Sequence, residues 1–191
     1  MDAPHLNPQE KSGLLFDVQR SIRYHDRRVA HFDKLHKATN VFTILISGVV
    51  ILDVFTPFTS PSLDVDGQSS ALSLWVKIFA AIAALFSAFD LVVGFGHRAN
   101  EHRDLKRKFC VLERQVISAS TLETIHNAPI KRSEIEAEEP PIFRALDAMC
   151  YNEMIIAQGH STTSEHFHKV PRFKRLTANW LRWSDFSSTV A

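Results

Sequence analysis

Two long apolar runs interrupt an otherwise mixed chain. The first, residues 41–58 (VFTILISGVVILDVFTPF), has Asp53 as its only charge. The second, residues 72–96, carries Lys77 near its start and Asp90 near its end. A helix crosses ~30 Å of hydrocarbon with about 20 mostly apolar residues, and counted from Ala38 the first run reaches that length. The pattern therefore predicts two membrane-spanning helices within residues 38–96, joined by the polar turn TSPSLDVDGQSS. A soluble bundle with two very apolar buried helices is the weaker reading, because helices in soluble proteins usually run only ~10 to 14 residues.

Finer spacing extends both helices beyond the apolar runs. Leu15, Val18, Ile22, His25, Val29, Phe32, His36 and Thr39 recur at alternating steps of three and four, the spacing of a helix packed on a partner, and the steps continue through Thr43, Ile46, Val50 and Asp53. Read backward, Val116, Leu112, Phe109, Leu105, His102, Arg98, Phe95, Leu91, Ala88, Ala84, Ala81 and Lys77 keep the same alternation. Helices over 12–58 and 72–120 would each be about 70 Å long. The predicted fold is all-α: a long antiparallel transmembrane hairpin continuing into a cytoplasmic helical stalk, with one or two further helices. The implied organisation is an N-terminal cytoplasmic helix (1–37), a two-span hairpin (38–96), a cytoplasmic helical region (97–160) and a basic aromatic tail (161–191).

Charge placement orients the hairpin. Arg20, Arg23, Arg27, Arg28, Lys34 and Lys37 precede the first run, Arg98, Arg103, Lys106, Arg107 and Lys108 follow the second, and the connecting turn has no Lys or Arg. Cations are retained on the cytoplasmic side, so both termini of this two-span, multi-pass chain are expected inside. The first thirteen residues carry no apolar run, so no cleaved signal peptide is expected. Over the whole chain 22 Lys and Arg balance 21 Asp and Glu, a net charge of +1 that argues against a nucleic-acid binder.

Within the predicted membrane segment three groups of residues attract chemistry. Asp53 and Lys77 lie on the two seams at similar depth and are candidates for an intramembrane ion pair. The alternative is that Lys77 reaches the headgroups while Asp53 takes up a proton. Ala83, Ser87, Asp90 and Gly94, with His97, share a second face of small and polar side chains that could line an aqueous path in an oligomer; alternatively Asp90 sits near the inner headgroups or bonds Thr39 or Thr43. Ala80, Ala84 and Ala88 are small enough to allow close helix packing.

Beyond Ser120 the pattern loosens, and an acidic stretch with Glu134, Glu136, Glu138 and Glu139 is expected either to be solvated or to meet the basic residues beside the membrane. Pro140 and Pro141 then precede a third helix with Phe143, Leu146, Met149, Cys150, Met154 and Ile155 on one face, stopped by Gly159. In the tail, Phe173, Trp180 and Trp183, with Arg175 and Arg182, are candidate interfacial anchors for an anionic leaflet, docking on another protein being the main alternative. Catalytic patterns do not emerge. Two cysteines without CxxC spacing exclude a disulfide framework. His97 and His102 have the wrong gap for a helical zinc pair, and His160, His166 and His168 with Glu165 make only a loose loop cluster. The chain is thus expected to be no enzyme, with no cofactor and no metal.

The basic, His-containing approach IRYHDRRVAHFDKLHKATNVFTILISG, the exit AALFSAFDLVVGFGHRANEHRDLKRKF and the segment IEAEEPPIFRALDAMCYNE together resemble the SLATT family of two-transmembrane effector domains, over roughly residues 12–160. The resemblance implies a membrane effector of bacterial conflict systems that oligomerises and forms a pore or permeabilises the inner membrane in antiphage defence. Its partners would be the lipid bilayer, further copies of itself and a regulatory signal or partner at the cytoplasmic helices. The second expectation is a non-conducting membrane anchor that recruits a cytoplasmic partner.

Overall fold

The computed structural model describes residues 8–59, 68–119, 122–160 and 166–183, with the backbone only at 8, 49–50, 52–59, 68–73, 76, 122 and 124. Among the described residues the chain is all-helical, with six helices and no strand: α1 (Pro8–Thr59), α2 (Gln68–Val93), α3 (Phe95–Ser118), α4 (Leu122–Ala137), α5 (Arg144–Ala157) and α6 (Arg172–Leu176). It divides into two compact units, one of residues 1–31 and 100–191 and the other of residues 32–99.

The first unit is organised by the expected seams. Val18 and His25 of α1 and His102, Leu105, Phe109, Leu112 and Val116 of α3 are all buried. Leu14, Val18, Phe109, Leu112, Val116 and Ala128 form one apolar cluster, completed by Leu15, Ile22 and Ile135. A second cluster joins Tyr24 to Ala145, Leu146 and Cys150 of α5 and to Ala178 of the tail, with Phe143, Met149 and Trp183 packed against it. Burial pushes the Cys150 thiol up to about 12, so it packs as an apolar group.

Helix α4 departs from the sequence expectation of a loosened acidic stretch. Ile125 and Ala128 are buried, Ile135 packs beside them, and Arg132 bridges Asp17 (2.6 Å) and Glu136 (2.7 Å). Positions 125, 128, 132 and 135 keep the three-and-four spacing, but an alanine, an arginine and the exposed Pro129 mask it. Proline inside a helix removes one backbone bond; packing of the stripe offsets that loss. Helix α5 begins at Arg144, after Phe143, and Gly159 closes it as expected: at φ +84° it lets the His160 N–H reach the Ile155 carbonyl at 3.1 Å.

In the second unit α1 and α2 meet through Phe42 and Phe86, whose rings are 5.4 Å apart edge to face, and Phe32, Phe95 and Ala99 form a buried cluster with Leu35 and Val93. Here the expected continuous second helix is corrected. Gly94 adopts φ +64°, a left-handed conformation that costs an L side chain about 1–2 kcal/mol, and it divides the run into α2 and α3. The helical ladder survives across it: Gly94 N–H donates to the Asp90 carbonyl (2.7 Å), and the Gly94 carbonyl accepts from Arg98 N–H (2.9 Å). What changes is the register. On α2 the expected seam residues Ala81, Ala84, Ala88 and Leu91 are exposed, Leu91 at 86 %, whereas Ala83 is buried and Asp90 and Val93 are half-buried. The packed face is therefore shifted by about two positions from the seam that α3 continues.

Candidate functional site

The second unit carries an extensive apolar coat. Val41, Ile44, Leu45 and Ile51 of α1 and Leu74, Trp75, Phe79, Leu85, Phe89, Leu91 and Val92 of α2 are all exposed. Counted as one helix across the Gly94 turn, Lys77–Ser118 is the one described helix long and apolar enough to cross a membrane, and only 11 % of its most apolar stretch is buried. A core helix of a soluble protein would be mostly covered. The first apolar run extends past the residues whose side chains are described.

One polar site interrupts this coat. Asp90 Oδ2 lies 3.2 Å from His36 Nδ1 and 3.4 Å from Thr39 Oγ1. The Asn40 amide nitrogen, which only donates, stands 3.2 Å from His36 Nε2, so that nitrogen accepts and the ring proton on Nδ1 points at the carboxylate. Thr39 has a single hydroxyl proton and two nearer acceptors, the carbonyls of His36 (2.9 Å) and Leu35 (3.1 Å). His36 is therefore the principal partner of Asp90. The opposite oxygen, Oδ1, is buried without a hydrogen-bond partner. Gly96 lies beside the imidazole, where a Cβ would stand at an ordinary contact distance of 3.5 Å from the His36 ring.

Of the candidate conduit face, Ala83 is buried within the unit, Ser87 is exposed, Asp90 is turned onto α1 with 17 % of its side chain accessible, and Gly94 makes the turn. Lys77 is exposed, while the side chain of Asp53 lies outside the described residues, and the expected ion pair with it. Glu165 of the loop histidine cluster also lies outside them. His168 is held by Asn152, whose amide donates to the His168 carbonyl (2.7 Å) and accepts from its N–H (2.8 Å). Among the described residues no group of three or more His, Cys, Asp or Glu side chains could hold a metal ion.

The tail is pinned to the first unit. Arg28, itself buried, donates to the Asn179 carbonyl (2.7 Å) and stacks over the Phe143 ring (4.1 Å). Trp183 sits at φ +46°, donates from Nε1 to Thr177 Oγ1 (3.2 Å) and meets Phe173 edge to face. Trp180 packs on His31 yet stays more than half exposed, and Phe173, Arg175 and Arg182 are also exposed. Among the described residues of this segment, only Arg172–Leu176 is helical.

The first unit also holds a buried polar chain that the sequence reading did not assemble. His25 Nδ1 and His102 Nδ1 are 3.0 Å apart, and His25 Nε2 is 3.1 Å from Glu139 Oε1. The side chains of His25 and Glu139 are 0 % and 7 % exposed. His25 stacks on Phe109 and meets Tyr24 edge to face. Tyr24 Oη accepts the Phe143 N–H at 3.1 Å, and burial raises its phenol above the usual range, with the Phe143 bond and Arg28 acting the other way. A signal existed, since His25 and His102 both occupy seam positions; Glu139 was hidden inside an acidic run.

Comparison with protein-family models, with curated proteins and with solved structures finds no match to this chain.

Proposed function

We propose that the chain is a two-span membrane effector of the inner membrane, with both termini in the cytoplasm, that assembles as a homo-oligomer and permeabilises the bilayer in bacterial defence. The exposed apolar coat on α1 and α2 carries this reading. At ~25 cal/mol per Å² such a surface is costly in water and favourable against lipid tails. The basic residues on either side of residues 38–96 support the orientation. Two spans cannot enclose a water-filled path alone, so conduction requires several copies. The resemblance to SLATT domains supplies the effector role.

A specific observation favours a second reading, the non-conducting anchor that recruits a cytoplasmic partner. Asp90 and Ala83 are occupied within their own unit, so the small and polar face is only partly free to line a conduit.

Fractionation and flux test both. The protein should sediment with membranes, resist an alkaline carbonate wash and be released by detergent; a well-behaved monomer without detergent overturns both readings. In proteoliposomes the wild type should pass ions, and Asp90→Leu should reduce the flux severalfold. Absence of flux from membrane-inserted wild type leaves the anchor.

A further inference from the structure

The tail of the first unit, residues 166–183, is charged in one sense only. It carries Lys169, Arg172, Lys174, Arg175 and Arg182 and neither Asp nor Glu. Lys169, Arg172, Arg175 and Arg182 are exposed, and Lys174 is half-buried. Large apolar side chains stand among these cations: Phe173 is 64 % exposed, Leu176 80 %, Trp180 57 % and Leu181 47 %. Phe173 and Leu176, three positions apart on α6, share one face of that short helix. The acid that shares a small cleft with the segment, Glu153 of α5 beside Arg175, is already bridged to Arg27.

This surface is built into the fold. Thr177 ties it together: its N–H and its hydroxyl both donate to the Phe173 carbonyl (3.1 and 2.9 Å), its Oγ1 accepts from Trp183 Nε1 (3.2 Å), and its carbonyl accepts the N–H groups of Trp180 and Leu181 (2.9 Å each). Ala178, the next residue, is fully buried in the cluster of Tyr24, Leu146 and Cys150, and the Asn179 carbonyl takes the hydrogen bond from Arg28. On the other side of Thr177, Phe173 meets the Trp183 ring edge to face and the Lys174 ammonium stands 5.3 Å over the same ring. The backbone is thus fixed at residues 177–179 while Phe173, Leu176, Trp180 and Leu181 stay exposed around it. Their ordering cost is met in folding, so binding does not have to supply it. An amphipathic helix that forms only on contact with lipid would lack this advantage.

Two partners suit a cationic surface set with aromatic and aliphatic groups, an acidic protein face and an anionic lipid leaflet, and the observations favour the leaflet. A leaflet asks for positive charge and apolar depth without a matching contour, and the tail offers both as projecting side chains. An indole such as Trp180 joins an apolar body to a polar N–H, the combination that settles at the headgroup boundary. The apolar coat of residues 32–99 also brings a bilayer within reach of every copy of the chain. We propose that residues 169–182 form a ready-made docking surface for the anionic cytoplasmic leaflet. Lys169, Arg172, Arg175 and Arg182 meet lipid phosphates, and Phe173, Leu176, Trp180 and Leu181 enter the acyl boundary. This deepens the membrane reading above and rests on it, and it gives the chain a salt-sensitive attachment to the bilayer besides its spans. Each cation brought close to an anionic surface strengthens binding about fivefold, and added salt screens that gain.

The test uses the full chain in lipid nanodiscs and reads tryptophan quenching by lipids brominated in their acyl chains. The chain has three tryptophans, Trp75 on α2 and Trp180 and Trp183 in the tail. The emission lost on going from wild type to Trp75→Phe reports the span, and it should be quenched alike in zwitterionic phosphatidylcholine discs and in discs with about one third phosphatidylglycerol. In Trp75→Phe the remaining tail emission should be quenched about twofold more in the anionic discs, and the excess should vanish at about 1 M salt, where the screening length is ~3 Å. Removing two exposed cations in Arg172→Gln/Arg182→Gln should cut the excess by more than half. Leu176→Ser, which changes a side chain 80 % exposed and leaves every charge in place, should lower the quenching in anionic discs with the helical circular dichroism unchanged. Tail quenching equal in both disc types while Trp75 is quenched overturns the docking and leaves the spans standing, and so does an excess that neither variant reduces. An unquenched Trp75 removes the membrane reading and the docking with it. Tail emission that responds instead to added polyglutamate assigns the patch to an acidic protein, and emission that responds to the number of chains per disc assigns it to a second copy; either overturns the proposal.

Discussion

At the scale of single residues, the first unit places polar side chains where a purely apolar core would be simpler, and each has a partner whose loss can be measured. Tyr24 accepts the backbone N–H of Phe143 at the start of α5, where no side-chain cap is present. Tyr24→Phe keeps the ring and leaves that N–H without its acceptor, so unfolding of the full chain should become easier by about 1–2 kcal/mol, read as a lowered denaturant midpoint. His168 gives a pH dependence whose sign follows from burial, which pushes its pKa below the ordinary value, with Asp147 opposing and Arg20 reinforcing the shift. The unfolded chain then binds the proton more readily than the folded one. This contribution to stability is complete above ~6.5 and is lost as pH falls through that value toward the folded one. Thermal melts of wild type and His168→Gln across this range should differ in slope, the variant being the flatter.

Helices are where local sequence and tertiary environment disagree most instructively. The seam on α1 and α3 was legible because apolar residues fall at three-and-four spacing, and Val18, Phe109, Leu112 and Val116 are buried as that spacing requires. On α2 it misled, because a single left-handed residue at Gly94 shifts the packed face. Spacing counts residues and assumes a constant turn; it cannot register one φ of opposite sign. Two glycine substitutions separate these effects. Gly94→Ala forces an L side chain into φ +64°, where its Cβ would meet only the His97 Cβ at 3.6 Å, so the penalty is conformational, about 1–2 kcal/mol. Gly13→Ala lies inside α1 with nothing within 4 Å and should stabilise by about 0.5–1 kcal/mol. Opposite shifts in melting temperature are expected, and equal signs would refute the assignment of Gly94 as the register break.

For the molecule as a whole, the governing fact is segregation. Residues 32–99 expose large apolar side chains along both helices, whereas the first unit encloses two apolar clusters, exposes apolar side chains more sparsely, such as Ile117, Ile130 and Leu176, and carries surface ion pairs such as Lys106 with Asp26 and Lys108 with Glu138. The proposed topology follows from that contrast and from the cations flanking residues 38–96. Tags at either terminus should be shielded from proteases added to intact spheroplasts and cut once the membrane is opened. Cleavage in intact spheroplasts at both termini would reverse the orientation, and at one alone would refute the two-span hairpin.

The sequence by itself determined the helical class, the two apolar runs, the seam through α1 and α3, and the stop at Gly159, because each follows from composition or spacing within one segment. Tertiary structure alone decided that α4 is a helix despite Pro129, that α2 turns a different face inward, and that Asp90 meets His36 rather than standing free. It alone joined His25 to His102, 77 positions away, and to Glu139, 114 positions away. The physical reason is common to all of these. Local periodicity states which face of a helix avoids water, whereas the identity of a polar partner depends on which distant segment closes over that face.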